Sequence, residues 1–438
     1  MEPTALRSGG LSAPLRRGLE AIAPARLGSA FRWLLGSAIV TNLGDGVAIA
    51  AGPLLVASLT RDPFLVSLAF LSEQLPVLLF GFLSGAVADR LDRRKVVVTV
   101  NLGRALVLAI LAATIAMGTV SIAIVLVGLF VLGTGETFAN VSTSSLLPRI
   151  VTRADLGIAN ARTQGAFLLA NQLVGPPIGA FLFAVGMAIP FGVDATGFAL
   201  GAVLVSRMAV DVAREAPRAA GSSLRRDLAE GFRWLVGHPP MRTLALTIVA
   251  FNVTFGAAWS VLVLYARERL GMDAVGFGLI TTAIAVGGIV GTSSYGRLER
   301  RFALGDIMRV GLLIETATHL VLALTTSAAV VLATMVVFGA HAFVWGTTST
   351  VVRQRAVPDA LLGRVTGVYQ VGLTGGIIVG TPIGGLLART FGITAPFWFG
   401  FAGSAILVVV LWRQFARIVH ASEQPNVAGS TGDQGRTG

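Results

Sequence analysis

The 438-residue sequence predicts an all-α membrane protein of about twelve spanning helices in two pseudo-symmetric six-helix bundles. Three observations carry this. First, 54% of residues are hydrophobic, only 13% are charged and the mean hydropathy is +0.78, so a water-soluble chain of this size would expose far too much apolar surface. Second, apolar runs of roughly twenty residues alternate with short polar joints, the length that crosses ~30 Å of hydrocarbon. No water satisfies the backbone at that depth, and continuous apolar runs select helices over the alternating strands of a barrel. Third, Arg90-Leu91-Asp92-Arg93-Arg94 recurs as Arg297-Leu298-Glu299-Arg300-Arg301, and Arg149, Gln164, Pro176 and Gly179 recur as Arg355, Gln370, Pro382 and Gly385. Copies this long are not solenoid repeats; one half-molecule has been duplicated.

In chain order, residues 1–30 carry scattered arginines and prolines but no apolar core ahead of a small-residue cleavage site, and read as a retained cytoplasmic tail. The first bundle (31–209) is expected to hold helices near 31–59, 64–88, 96–117, 121–147, 158–185 and 189–209. The joint at 210–240 contains apolar positions at i, i+4 and i+7 from Ser222 to Leu235, the pattern of an amphipathic helix lying on the inner membrane face and tethering the halves. The second bundle (241–416) is expected to hold helices near 241–266, 275–296, 304–325, 328–352, 365–388 and 394–416. Short joints at Met117 to Ser121 and Thr325 to Ala328 make their flanking helices antiparallel neighbours. The Gly-, Ser-, Gln- and Asn-rich tail, 417–438, is expected to be disordered.

A net charge of +12 and a pI near 11.4 would point a soluble protein toward nucleic acid. Here position decides otherwise. Threaded from a cytoplasmic N-terminus, the inner joints carry Arg90, Arg93, Arg94 and Lys95, then Arg149, Arg153 and Arg162, and later Arg297, Arg300, Arg301, Arg353, Arg355 and Arg364. The outer joints keep Arg61, Arg267, Arg269 and Arg389. That asymmetry is the positive-inside rule: it places the chain in the plasma (inner) membrane with both termini cytoplasmic, in contact with anionic lipid and with no nucleic-acid partner.

With no cysteine there is neither a disulfide framework nor a thiolate metal site, and no metal site is expected. Lys95 is the only lysine, so there is no phosphate-binding P-loop and ATP is not the energy source within this chain. No Gly-x-Ser-x-Gly elbow or His-Glu-x-x-His site occurs, so the chain is not expected to be an enzyme.

Gly85-Ala86-Val87-Ala88-Asp89-Arg90-Leu91-Asp92-Arg93-Arg94 resembles the loop between the second and third helices of the major facilitator superfamily. Asn42-Leu43-Gly44-Asp45-Gly46, Leu147-Pro148-Arg149 and Gly175-Pro176-Pro177-Ile178-Gly179 narrow the resemblance to the branch that includes the enterobactin exporter and macrolide efflux pumps. The resemblance covers roughly residues 30 to 416 and implies two bundles rocking about a central site. It also implies a conformational latch at Gly85, Asp89, Arg90, Arg93, Arg94 and Arg149, with Asp89 facing arginines or a helix N-terminus of the other bundle. The family usually has glycine where this chain has Asp92, and the second copy has Gly296 in place of Asp89, so the latch is expected to be asymmetric. Gly175, Pro176 and Gly179 resemble an incomplete exporter motif; with Pro382 and Gly385 they are hinge candidates, with ordinary close packing as the competing reading.

Carboxylates at mid-membrane are costly and normally face a bundle interior or an aqueous route. Asp45, Glu73 and Glu136 qualify, with Arg104 as counter-ion, and acids that gain and lose a proton there supply the chemistry of a proton antiporter. Glu136 and Asp45 lie deepest from the expected helix ends; a structural pairing is the competing reading. Asn42, Asn140 and Asn252 read as interhelical hydrogen-bonding groups or substrate contacts. Trp259 and Trp345, with Phe251, Phe255 and Phe343, read as core or as the lining of an amphiphilic pocket, and Trp33, Trp398 and Trp412 as interfacial anchors. Glu315, His319 and His341 lie within helices of the second half; a histidine can titrate near neutrality, but a lone one is more often a packed polar group than a relay.

The expected function is therefore proton-driven efflux of a small amphiphilic, drug-like or siderophore-like molecule by a monomer, with no cofactor and the proton gradient as energy source. Proton-coupled import or lysophospholipid movement on the same fold is the alternative, and a non-transporting membrane sensor or scaffold is the alternative of another class.

Overall fold

The computed structural model describes residues 20, 24–208, 224–412 and 414; the notions of an N-terminal tail before residue 20 and of a tail over 417–438 lie outside the described residues. The first bundle consists of α1 (Gly28–Leu59), α2 (Pro63–Arg90), α3 (Arg93–Ala116), α4 (Ile122–Ile150), α5 and α6 (Ile189–Ser206). Helix α5 runs in three pieces: Leu156–Ala166, a π-helical stretch Phe167–Val174, and Gly175–Val185. A linker helix α7 (Leu224–Gly237) precedes α8 (Pro239–Trp259), α9 (Ala274–Arg301), α10 (Leu304–Leu324), α11 (Ala328–Ala356), α12 (Asp359–Phe391) and α13 (Ala395–Leu411). Among the described residues, eleven helices are long and apolar enough to span a bilayer, and α13 is a shorter apolar helix.

Local chemistry sets the helix starts. Asp62 accepts from the Phe64 amide with Pro63 in the first turn, and Asp92 caps α3 by accepting from the Arg94 and Lys95 amides. An aspartate thus does at this turn what an N-cap requires, which accounts for the departure from glycine. Helices α4, α11 and α12 extend past their expected inner ends, to Ile150 and Ala356 and back to Asp359, because charged turns carry them beyond the apolar runs. The segment expected as one helix over 241–266 instead breaks after Trp259 into the short turns Leu262–Leu264 and Tyr265–Arg269.

Small residues let backbones meet inside each bundle. A Cβ on Gly287 or Gly339 would lie 2.0 Å from a carbonyl oxygen of the facing helix, locking α9 to α11, and Gly380 and Gly384 meet α8 from α12 in the same way. In the first bundle Gly175 and Gly179 press on the backbone of Gly46 and Val47. Outward-facing Leu79, Leu83, Leu106 and Val409 are exposed, as a lipid-facing surface requires, and so are Trp33, Trp398 and Trp412 near helix ends.

The bundles meet mainly through α2 with α12 and α5 with α9. The contacts gather at the end opposite the arginine-rich joints. There Gly385 sits against Phe64 and Ser67, Gly278 against Ala180, Arg267 donates to the Ala57 carbonyl at 2.7 Å, and Arg389 lies 3.7 Å from Asp62. Helix α7 docks on the second bundle: Arg364 of α12 reaches Asp227 at 2.9 Å and Glu230 at 3.0 Å, and Trp234 stacks on His238.

Candidate functional site: a two-faced cavity between the bundles

A cavity of about 580 Å³ lies between the bundles, and its two walls differ chemically. The first bundle supplies Asp45 (α1), Glu73 (α2), Arg104 (α3), Glu136 (α4), Asn171 and Gln172 (α5) and Asp194 (α6). The second supplies Phe251, Asn252, Phe255 and Trp259 (α8), Phe277 and Thr281 (α9) and Phe338 (α11). One wall is acidic. The other is a stack of rings: Phe255 lies 4.4 Å from Trp259 and Trp259 lies 4.7 Å from Phe338, centroid to centroid.

Glycines make the acidic wall possible. Gly44 leaves the space that the Asp194 carboxylate occupies, Gly135 leaves room for the Arg104 methylenes, and Gly133 receives the Glu73 main-chain carbonyl. Arg104 forms a salt bridge to Asp45, and its guanidinium lies 3.9 Å from the centroid of the Phe198 ring. Asp194 is buried at 3% exposure, and its Oδ1 has no hydrogen-bond partner. Four carboxyl groups thus share one guanidinium, and only Asp45 holds it directly.

A second, polar cavity of about 390 Å³ opens within the first bundle toward its arginine-rich end, lined by Thr41, Asn42, Asn140, Thr143, Asn160 and Gln164 among others. Asp45 and Arg104 line both spaces, so their ion pair forms a partition between a polar vestibule and the central cavity.

Of the residues expected at the site, Asp45, Glu73, Arg104, Glu136, Asn252 and Trp259 line the central cavity. Others require correction. Asn42 and Asn140 belong to the vestibule, where Asn42 donates to the Ala38 carbonyl at 2.7 Å. Trp345 is buried behind the wall, stacked on Phe251 with ring centroids 6.0 Å apart, and Phe343 packs against Gly288. Two residues apart on one helix, they point to different neighbours, Phe343 toward Gly288 of α9 and Trp345 toward Gly311 of α10.

At the expected latch, Arg94 donates to the Ser206 carbonyl of α6 and so ties its own bundle together, not the two bundles to each other. Arg90 is exposed, Gly85 has open space where a side chain would go, Arg93 and Arg149 are partnered, and the side chain of Asp89 lies outside the described residues. In the second copy Glu299 pairs with Arg355 at 2.9 Å, again within one bundle. At the expected hinges, Gly175, Pro176 and Gly179 are buried in the α1–α5 contact, and Gly385 is an inter-bundle contact beside Pro382 in an unbroken α12. The backbone irregularity sits one step earlier, in the π-helical Phe167–Val174.

The sequence did not single out Asp194, and it did not bring together three polar residues that it named separately. Asp194, five residues into its helix, was not among the expected acids, although it is the only charge in Ile189–Ser206 and that was the signal for it. Glu315, His319 and His341 meet in the second bundle. Glu315 and His319 share a helix face at i, i+4, a signal the sequence held, but His341 comes from another helix and only the fold brings it in.

Among the described residues, twelve apolar helices in two like bundles around a central cavity define a transporter of the major facilitator type. More narrowly, the chain belongs to the transmembrane secretion effector family, whose match spans residues 20–430. It is 27% identical over 387 residues to the multidrug efflux pump Tap of Mycolicibacterium fortuitum, covering 83% of this chain and 90% of that protein. It is 25% identical over 414 residues to the enterobactin exporter EntS of Escherichia coli strain K12, covering 90% and 94%. Among solved structures, a bacterial homologue of the iron transporter ferroportin in its inward-facing state superposes with a TM-score of 0.70 at 17% identity, covering 89% of this chain and 99% of that one.

Proposed function

We propose that this protein exports small amphiphilic molecules from the cytoplasm across the plasma membrane in exchange for protons. The single observation that carries the reading is the opposition of acidic and aromatic walls across one cavity. Stacked rings receive the apolar body of a drug-like or siderophore-like compound, and the acids opposite exchange protons or meet its polar groups. The efflux relatives support the outward direction.

With the arginine-rich joints and both termini on the cytoplasmic side, the closed end carrying Asp62, Arg267 and Arg389 faces outward and the cavity opens inward. In that state Asp45 and Glu136 load substrate or release protons toward the cytoplasm, through the cavity and through the polar vestibule that Asp45 and Arg104 border. Rocking the bundles then breaks the outer contacts of α2 with α12 and α5 with α9. No cofactor takes part; a monomer and the proton gradient suffice.

The test uses everted membrane vesicles and a panel of fluorescent amphiphilic dyes. Gradient-driven dye accumulation that disappears on collapsing the proton gradient, and is absent with Glu136→Gln inserted at normal levels, is the expected result. Accumulation indifferent to the gradient, or full activity in both Glu136→Gln and Asp45→Asn, rules the mechanism out.

A further inference from the structure

The geometry points to a second proton-binding site, built from Glu315, His319 and His341 in the second bundle and separate from the acidic wall. It deepens the proton-driven reading and rests on it for its purpose, not for its existence. Glu315 and His319 project from the same face of α10, and His341 reaches them from α11. Glu315 and His319 are fully buried, and His341 Nε2 lies 3.2 Å from Glu315 Oε2. His319 Nδ1 lies 3.0 Å from the Glu315 main-chain carbonyl, which can only accept, so this nitrogen carries the ring proton. The same nitrogen is 3.4 Å from Glu315 Oε1, but its proton is directed to the carbonyl and Oε1 is left without a hydrogen bond.

Among the described residues, no nearby cation balances the carboxylate. Helix α10 packs on α11 and α13. Described α13 has no charged side chain, and α11 offers Arg353 and Arg355 only beyond three further turns, roughly 18 Å along the helix. On α10 itself Asp306 and Arg309 pair with each other at 3.0 Å in its first turns. With Glu315 ionised and both rings neutral, the cluster therefore carries one uncompensated negative charge in apolar surroundings. One added proton cancels it. The proton rests either on Glu315, donating to His341 Nε2, or on His341 as imidazolium against the carboxylate, and no other bond changes.

A static structural triad would have its polar atoms satisfied, yet Glu315 Oε1, His319 Nε2 and His341 Nδ1 all lack partners. The protein has cleared space for this cluster: a side chain on Gly311 would strike Trp345 and crowd His341, and one on Gly400 would strike the His319 ring. The site also adjoins the transport route through a single aromatic layer. The His341 ring meets Phe251 and Phe338 edge-on, with centroids 6.4 and 5.9 Å away, and both phenylalanines line the central cavity. Substrate against those rings, or their movement as the bundles rock, governs when the proton enters and leaves.

Proton binding is counted directly on the full-length protein in lipid nanodiscs, stepped between about pH 5 and 8, with the carboxylic-acid infrared band as second readout. Glu315→Gln is expected to bind about one proton fewer than wild type, and to lose an acid band where the proton rests on the carboxyl group. His341→Asn, which keeps the carboxylate, is expected to shift the pH at which the proton is taken up. Glu136→Gln is expected to remove a different proton, additively. Unchanged counts and bands in Glu315→Gln and His341→Asn overturn the site while leaving the acidic wall untouched, as does stabilisation by zinc that both variants abolish, which would make the cluster a metal site.

Discussion

The two bundles carry their polar groups in complementary places on one duplicated scaffold. Fourteen residues after Arg90 stands Arg104, and fourteen after Arg297 stands Gly311; fourteen before Arg149 stands Gly135, and fourteen before Arg355 stands His341. In the first bundle the large group comes from α3 and the glycine from α4, whereas in the second the glycine comes from α10 and the large group from α11. The last helix of each bundle differs at one matched position and against different partners, α1 in the first bundle and α10 in the second. Asp194, four residues after Pro190, fills the space at Gly44, while Gly400, four residues after Pro396, yields to His319. At the matched α3–α4 and α10–α11 contacts the bulky side chain thus stands on opposite partners. The result is one cluster that opens on the cavity and one sealed behind Phe251 and Phe338.

Neutralising the open cluster should produce the largest effect. Glu136→Gln or Asp45→Asn is expected to lower gradient-driven transport by about two orders of magnitude, read as dye flux in everted vesicles with insertion checked in parallel. The complementary packing is tested next. Gly311→Leu and Gly400→Val force a side chain into Trp345 or His319 and should cost about 1–3 kcal/mol or more in thermal unfolding. Gly103→Leu and Gly192→Val, which meet open space, should be near neutral by the same measurement.

Smaller effects are expected where α7 docks. Arg364→Gln removes ion pairs to Asp227 and Glu230, but all three side chains are a quarter or more exposed, so the loss should be about 1 kcal/mol or less, read as faster proteolysis of α7. The smallest effect is a pH dependence at His238, which caps α8 and stacks on Trp234. Burial lowers its affinity for protons below the ordinary 6.5, so its contribution to docking is present above that pH and fades as the pH falls through the lowered value. Trp234 fluorescence should report that loss, and His238→Asn, which still caps the helix, should flatten it.

The architecture was legible in the sequence because the bilayer leaves helices little alternative: apolar run length and the arginine joints placed most spans within a few residues, the break after Trp259 excepted. Asp45, Glu73, Arg104 and Glu136 were legible for a related reason, since a charge in an apolar run must face an interior. Helix orientation was not. Trp345 and Asn42 sit at cavity depth, yet each faces away from the central cavity, and which face meets which neighbour depends on glycine contacts between helices far apart in the chain. The same blindness split Glu315 from His341, which stand 26 residues apart and meet only across α10 and α11. The arginine loop, legible as a family motif, turned out to fasten α3 to α6 through Arg94.

The π-helical stretch Phe167–Val174 holds an extra residue in a turn directly beside the cavity, and Asn171 and Gln172 point into it from there. Tightening that turn to ordinary α geometry would slip the register by one residue and swivel the preceding piece of α5 by about 100°. A rotation that large would withdraw both amides without moving Gly175 or Gly179 off α1. One loosely wound turn thus gives this helix a way to change what it presents, releasing the Ala170 and Asn171 backbone from Gly46 while Gly175 and Gly179 hold α1.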